Sequence, residues 1–115
     1  MGHHGDVRVE DDGALWVMEG EVDASVQARH EDRLVRLADG ATRRITIDLS
    51  AVTFMDSGGL RLLYYAADGS PEPPLLRGTP QRIRDLLDLS GVVELFAIEP
   101  AGAAHQDSPV ERASL

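Results

Sequence analysis

Asp48-Leu49-Ser50-Ala51-Val52-Thr53-Phe54-Met55-Asp56-Ser57-Gly58-Gly59-Leu60 is the stretch on which the fold turns. Ahead of it, Ile45-Thr46-Ile47 between Arg44 and Asp48 is the clearest strand signal in the chain, with β-branched residues bounded by charges. Behind it, Gly58 to Ala67 carries Leu60, Leu62, Leu63, Tyr64 and Tyr65, apolar nearly all round, which predicts a largely buried helix. Between the two, Leu49 to Met55 reads as a loop with Val52 and Phe54 turned inward. A strand, a polar joint and a buried helix in that order are the unit of an α/β fold.

Outward from this unit the same alternation continues. Val7 to Glu10 and Ala14 to Glu19 are short strands joined by a tight turn at Asp11-Asp12-Gly13. Trp16 and Met18 share one face of the second strand, Leu15 and Val17 the other. Gly20-Glu21-Val22-Asp23 ends it. Ser25 can cap a helix to about Ala38, and Asp23 is itself a plausible turn or cap residue; Val26, Leu34, Leu37 and Ala38 lie inward and Arg29, Arg33 and Arg36 toward water. Pro74-Leu75-Leu76 is a minimal strand. Thr79 and Pro80 predict a helix start, and Ile83, Leu86 and Leu87 form its inner face, with Gly91 as its stop. Val92 to Leu95 allows one more helical turn, and Phe96 to Ile98 a closing strand. The expected fold class is α/β: a mixed, mostly parallel sheet with helices packed on it.

The 115 residues are enough for one domain. The expected division is a flexible N-terminus at 1–6, a domain at 7–99 and a disordered tail at 100–115, where Pro, Gly, Ala and Ser show little periodicity. Only 4% of the chain is aromatic, so the core must be built from Leu, Val, Ile and Ala.

Charge and composition exclude whole classes of function. A net charge of -9 argues against binding to a nucleic-acid backbone or an anionic membrane surface. Without cysteine there is no disulfide, thiolate metal site or thiol nucleophile. All 11 basic residues are arginines, which removes a P-loop lysine and a Schiff base. His3, His4, His30 and His105 have no metal-ligand spacing, and His30 reads as a solvated helix residue. No apolar run is long enough to span a bilayer and no signal-peptide core is visible. The expectation is a cytoplasmic protein without a cofactor.

The candidate site is the polar joint itself. Ser57 is the expected cap of the following helix. Gly58 and Gly59 each weaken a first helical turn by about 1 kcal/mol relative to alanine. They make sense if another molecule must approach the backbone closely, and a helix start also accepts phosphate. A plain cap with a glycine-softened turn explains the same residues. Asp-Ser-Gly-Gly also matches the nucleophile segment of chymotrypsin-like serine proteases. Those enzymes are all-β and about twice this length, and this chain has neither a suitably placed histidine nor a Gly-x-Ser-x-Gly elbow.

The stretch from Asp48 to Leu63 resembles the signature of the STAS domain, the fold of anti-sigma factor antagonists. That family shows Asp-Leu-Ser-x-Val-x-Phe-Met-Asp-Ser-(Ser/Thr)-Gly-Leu after a central strand. Gly20-Glu21-Val22-Asp23 resembles the family's Gly-Glu-(Leu/Val)-Asp loop, and Leu86-Leu87-Asp88-Leu89-Ser90-Gly91 with Phe96 its closing segment. The similarity runs from about Val7 to Ile98.

The resemblance implies a bacterial transcription regulator that acts by binding and not by catalysis. It implies phosphorylation at Ser57 by an anti-sigma factor that is a serine kinase of the histidine-kinase-like ATPase type. The unphosphorylated form would bind that partner and free its sigma factor, and a serine phosphatase would restore it. ATP and magnesium would come with the kinase. The residues implied at the partner surface are Asp23, Asp56, Ser57, Gly58 and Gly59. One position departs: Gly58 stands where the family has a second hydroxyl. Some STAS domains are never phosphorylated and serve stress-sensing complexes or lipid-transport ATPases. That constitutive module is the alternative.

Overall fold

Ile45, Ile47 and Leu49 are fully buried at the centre of the molecule, with a strand on either side. The computed structural model describes residues 5–100. In them the order is β1 (Asp6–Glu10), β2 (Leu15–Val22), α1 (Ala24–Asp39), β3 (Thr46–Met55), α2 (Ser57–Gly69), β4 (Leu75–Arg77), α3 (Gln81–Leu89) and β5 (Ala97–Ile98). Single 3-10 turns lie at Asp11–Gly13 and Val93–Leu95. The expected tail beyond its first residue, Pro100, with His105, and the segment holding His3 and His4 fall outside the described residues. Asp6, expected in the N-terminal extension, is the first residue of β1.

The sheet runs β1-β2-β3-β4-β5. Only the β1–β2 pair is antiparallel, closed by a turn in which Asp11 and Asp12 have φ of 56° and 54°. Aspartate tolerates that left-handed region better than most side chains. The other three pairs are parallel, as the intervening helices require. This is the α/β architecture expected from the sequence.

Trp16 and Met18, on the same face of β2 as alternation predicts, are fully buried, and the Trp16 indole donates to the Gly13 carbonyl oxygen at 3.0 Å. Leu34 and Ala38 of α1, Leu62, Leu63 and Ala66 of α2, Leu76 of β4 and Leu87 of α3 complete the core. Each fully buried leucine contributes about 1.5–3 kcal/mol. α1 and α2 pack on each other.

The central strand is longer than the sequence suggests. Leu49 to Met55 is not a loop but the continuation of β3. Its buried positions are Ile47, Leu49, Val52 and Met55, a spacing of two, three and three. Across the β2–β3 ladder, Glu19 faces Ala51, and Glu21 faces Phe54, so the register slips twice. Such bulges insert a residue and re-aim the next side chain. They hide the alternation that would mark a strand. They also turn Met55 inward and leave Phe54 44% exposed, against the expectation that Phe54 faces the core.

β2 likewise does not stop at Gly20-Glu21-Val22-Asp23 but runs through Val22. Gly20 takes a φ of 70° at one of the register slips, which a glycine adopts without strain.

The wet side of α1 is less free than expected. Arg29 donates to the Gly5 carbonyl at 2.7 Å and Arg33 to that of Val7 at 3.2 Å. His30 is mostly covered and not solvated. Its Nε2 lies 2.8 Å from the Asp6 carboxylate and its Nδ1 3.1 Å from Arg33. Together these contacts hold the first strand to α1. At α3, Pro80 and not Thr79 is the cap residue, and the Thr79 hydroxyl is buried without a partner among the described residues. Among the described residues no helix is long and apolar enough to cross a membrane.

Candidate functional site

Parallel pairing brings the ends of β2 and β3 side by side, with Val22 opposite Met55. Each strand is followed by an aspartate, Asp23 and Asp56. Both take nearly the same extended backbone, φ -121° and ψ -167° at Asp23 and φ -122° and ψ -161° at Asp56. Each then caps the helix that follows it. The Asp23 carboxylate accepts from the Ser25 and Val26 amides at 3.1 and 3.2 Å. The Asp56 carboxylate accepts from the Gly58 amide at 2.8 Å.

Two expectations are corrected here. The caps are Asp23 and Asp56, not Ser25 and Ser57. A carboxylate satisfies the free amides of a first turn with a charge-assisted bond and also complements the helix dipole. The serines move one or two places into the helices. Ser57 is thereby the first residue of α2, exposed, and its hydroxyl is not committed to capping.

Gly58 and Gly59 are both buried, and what approaches them is the chain itself. A β-carbon on Gly58 would lie 2.7 Å from the Ala24 Cα and amide nitrogen and 2.8 Å from the Asp23 carbonyl carbon. On Gly59 it would lie 2.4 Å from the Met55 Cγ and 2.5 Å from the Val22 carbonyl oxygen. The close approach these glycines permit is that of α2 onto the start of α1 and onto β2. The expectation that they open the backbone to a second molecule gives way to this internal packing.

The amide bonds at the start of α1, that to Val26 first, hold the Asp23 carboxyl below its ordinary value of 3.8. It therefore stays ionised at neutral pH. Ser57 thus sits among carboxylates that are already committed to amides. Both nitrogens of His30 are engaged elsewhere, and among the described residues the Ser57 hydroxyl has no side-chain hydrogen-bond partner. The arrangement presents an exposed hydroxyl at the first residue of α2.

Sequence reasoning missed the surface next to Ser57. The helix expected to be apolar all round has one open stripe. Ser57, Leu60, Arg61, Tyr64 and Tyr65 line a groove of about 290 Å³, and Tyr64 is 45% exposed. The spacing of three, four, seven and eight from Ser57 was the available signal. At its far end the Tyr65 hydroxyl donates to Glu31 at 2.9 Å. Burial, and then that carboxylate, raise the Tyr65 pKa above its ordinary value of 10.0.

A family model described as "Mlab, STAS domain" matches residues 7–97. A solved structure described as "Structure of the Anti-Sigma Factor Antagonist SpoIIAA in its Unphosphorylated Form" superposes with a TM-score of 0.58. It is 16% identical, and the match covers 88% of this chain and 92% of that one. At that identity the likeness establishes a shared fold. No curated protein sequence is significantly similar to the chain.

Proposed function

The chain belongs to the STAS-domain family, and from that premise we propose that it is an anti-sigma factor antagonist switched by phosphorylation of Ser57. The observation that carries this reading is the exposed Ser57 hydroxyl, placed directly after the capping Asp56 and left free by it. The unphosphorylated chain binds an anti-sigma factor kinase and so frees a sigma factor. In the switching step the Ser57 oxygen takes the γ-phosphoryl group of ATP. The hydroxyl proton passes to a base of the kinase, and ADP leaves. A serine phosphatase returns the hydroxyl by transferring the phosphoryl group to water.

The physical basis of the switch is local. A phosphate adds about -1.5 to -2 charge at Ser57, next to Asp56 and near Asp23. The start of α2 tolerates it, so the fold need not change. A partner surface that must desolvate this charge against carboxylates does not tolerate it. Asp23, Asp56 and Ser57 form the contact surface in this proposal, while Gly58 and Gly59 set its shape from beneath.

Gly58, where the family pattern has a hydroxyl, favours a second reading. In that reading the domain is a constitutive STAS interaction module of a stress-sensing complex or a lipid-transport ATPase. The test is intact mass after incubation with ATP, magnesium and the candidate kinase, with wild type and Ser57→Ala side by side. One phosphate on wild type alone supports the switch. A stable complex without phosphate transfer supports the constitutive module.

A further inference from the structure

Ser57 and Arg61 are four residues apart on α2 and line the same groove. Side chains at that spacing are neighbours on a helix surface, with β-carbons about 5–6 Å apart. Arg61 is exposed and forms no ion pair among the described residues. At the far end of the groove lies Glu31 of α1. It already accepts from the Tyr65 hydroxyl at 2.9 Å and from the Gln27 amide at 3.3 Å. Asp56, on the other side of Ser57, is bound to the Gly58 amide. Among the described residues Arg61 is therefore a cation lining the groove with its hydrogen-bonding capacity uncommitted.

Resting on the phosphorylation reading above, we infer that Arg61 is an internal receptor for the phosphate on Ser57. Its planar guanidinium offers paired donors that match phosphate oxygens, which a point charge does not. Helical side chains lean toward the N-terminus, so the Arg61 side chain reaches back along α2 past Leu60 to the phosphate. The modification then does more than add charge. It ties up the arginine beside Leu60, so that a partner reading Ser57, Leu60 and Arg61 meets an altered surface at all three.

The test separates this inference from the reading on which it rests. Phosphoserine is placed at position 57 of the full chain during translation, so that no kinase is needed. The phosphate is then titrated by phosphorus NMR in wild type, Arg61→Gln and Arg61→Lys. A phosphoserine without partners titrates near about pH 6. A neighbouring cation lowers that midpoint. The expected result is a midpoint about 0.5 pH lower in wild type than in Arg61→Gln, with Arg61→Lys between them. Equal midpoints in the three proteins overturn the inference and leave the phosphorylation reading standing. Failure of a kinase to modify Ser57 overturns that reading and leaves this measurement intact. Arg61 is exposed, and unchanged unfolding curves for the two variants exclude a misfolded reference.

Discussion

Gly58 packs so closely on Ala24 that a β-carbon at position 58 would lie 2.7 Å from the Ala24 Cα and amide nitrogen. These are backbone atoms at the start of another helix, and they cannot rotate away as a side chain can. The missing family hydroxyl is thus the counterpart of a close contact between the first turns of α1 and α2. Gly58→Ser, which restores the family residue, is expected to destabilise the domain by about 1–3 kcal/mol through overpacking. Chemical unfolding followed by the fluorescence of Trp16, the single buried tryptophan, measures it directly. A stability equal to wild type would mean that α1 can retreat without cost.

Asp56 has a structural task that can be separated from its charge. Asp56→Ala removes the acceptor of the Gly58 amide and is expected to cost about 1 kcal/mol. Asp56→Asn keeps an acceptor oxygen in the same place and should recover most of that loss. Unfolding curves of the three proteins decide the point. If asparagine is as damaging as alanine, the negative charge and not the cap is what α2 requires.

The acid limit of stability follows from Asp23. Its folded-state pKa is depressed, chiefly by the Val26 amide. A depressed carboxylate stabilises the fold fully above its unfolded value, and that contribution is lost as pH falls through the folded one. The ordinary value is 3.8, so the loss falls below that. Asp6, lowered first by the Val7 amide and then by His30, acts in the same direction over the same range. Wild type is expected to lose more stability than Asp23→Asn between about pH 5 and about pH 2.5. Parallel urea titrations at the two pH values test this, and an equal loss of unfolding free energy in the two proteins would contradict it.

Two neighbouring leucines of α3 should behave in opposite ways. Leu87 is fully buried, whereas Leu89 is 87% exposed. Leu87→Ala is expected to cost about 2–5 kcal/mol, as a cavity in the core does. Leu89→Ser should stay within about 0.5 kcal/mol of wild type. Melting temperatures are sufficient to distinguish them. A large loss from Leu89→Ser would show that this leucine is covered in solution.

The switch itself predicts a dissociation of binding from folding. Ser57→Asp should weaken association with the kinase while barely moving the melting temperature, because the site is an exposed helix start. Binding by calorimetry and melting by fluorescence, on one preparation, provide both quantities. Loss of the fold in this variant would assign Ser57 a structural role instead.

How far the sequence could be followed depended on the range of the interaction concerned. Alternation along one strand is enough to put Trp16 and Met18 on a common face, and packing makes that face the core. The caps expected at Ser25 and Ser57 lie two residues and one residue beyond the actual ones. Serine and aspartate both cap well, and only the geometry at the strand end chooses between them. Phe54 was placed inward and is half outside, because two bulges in β3 change the phase of the strand. They become visible only when β3 is aligned with β2.

The order of strands and helices, the aliphatic core and the Asp-Ser-Gly-Gly joint after the central strand were all determined by the sequence alone. Each rests on spacing within one segment and on the local chemistry of its residues. Tertiary structure decided the rest. It brought Asp23 beside Asp56, closed Gly58 onto Ala24 and left Ser57 and Arg61 open on one stripe of α2. Those relationships depend on the register of two parallel strands and on the packing of the helices that leave them. Residues more than thirty positions apart meet there, and no periodicity within either segment records the meeting.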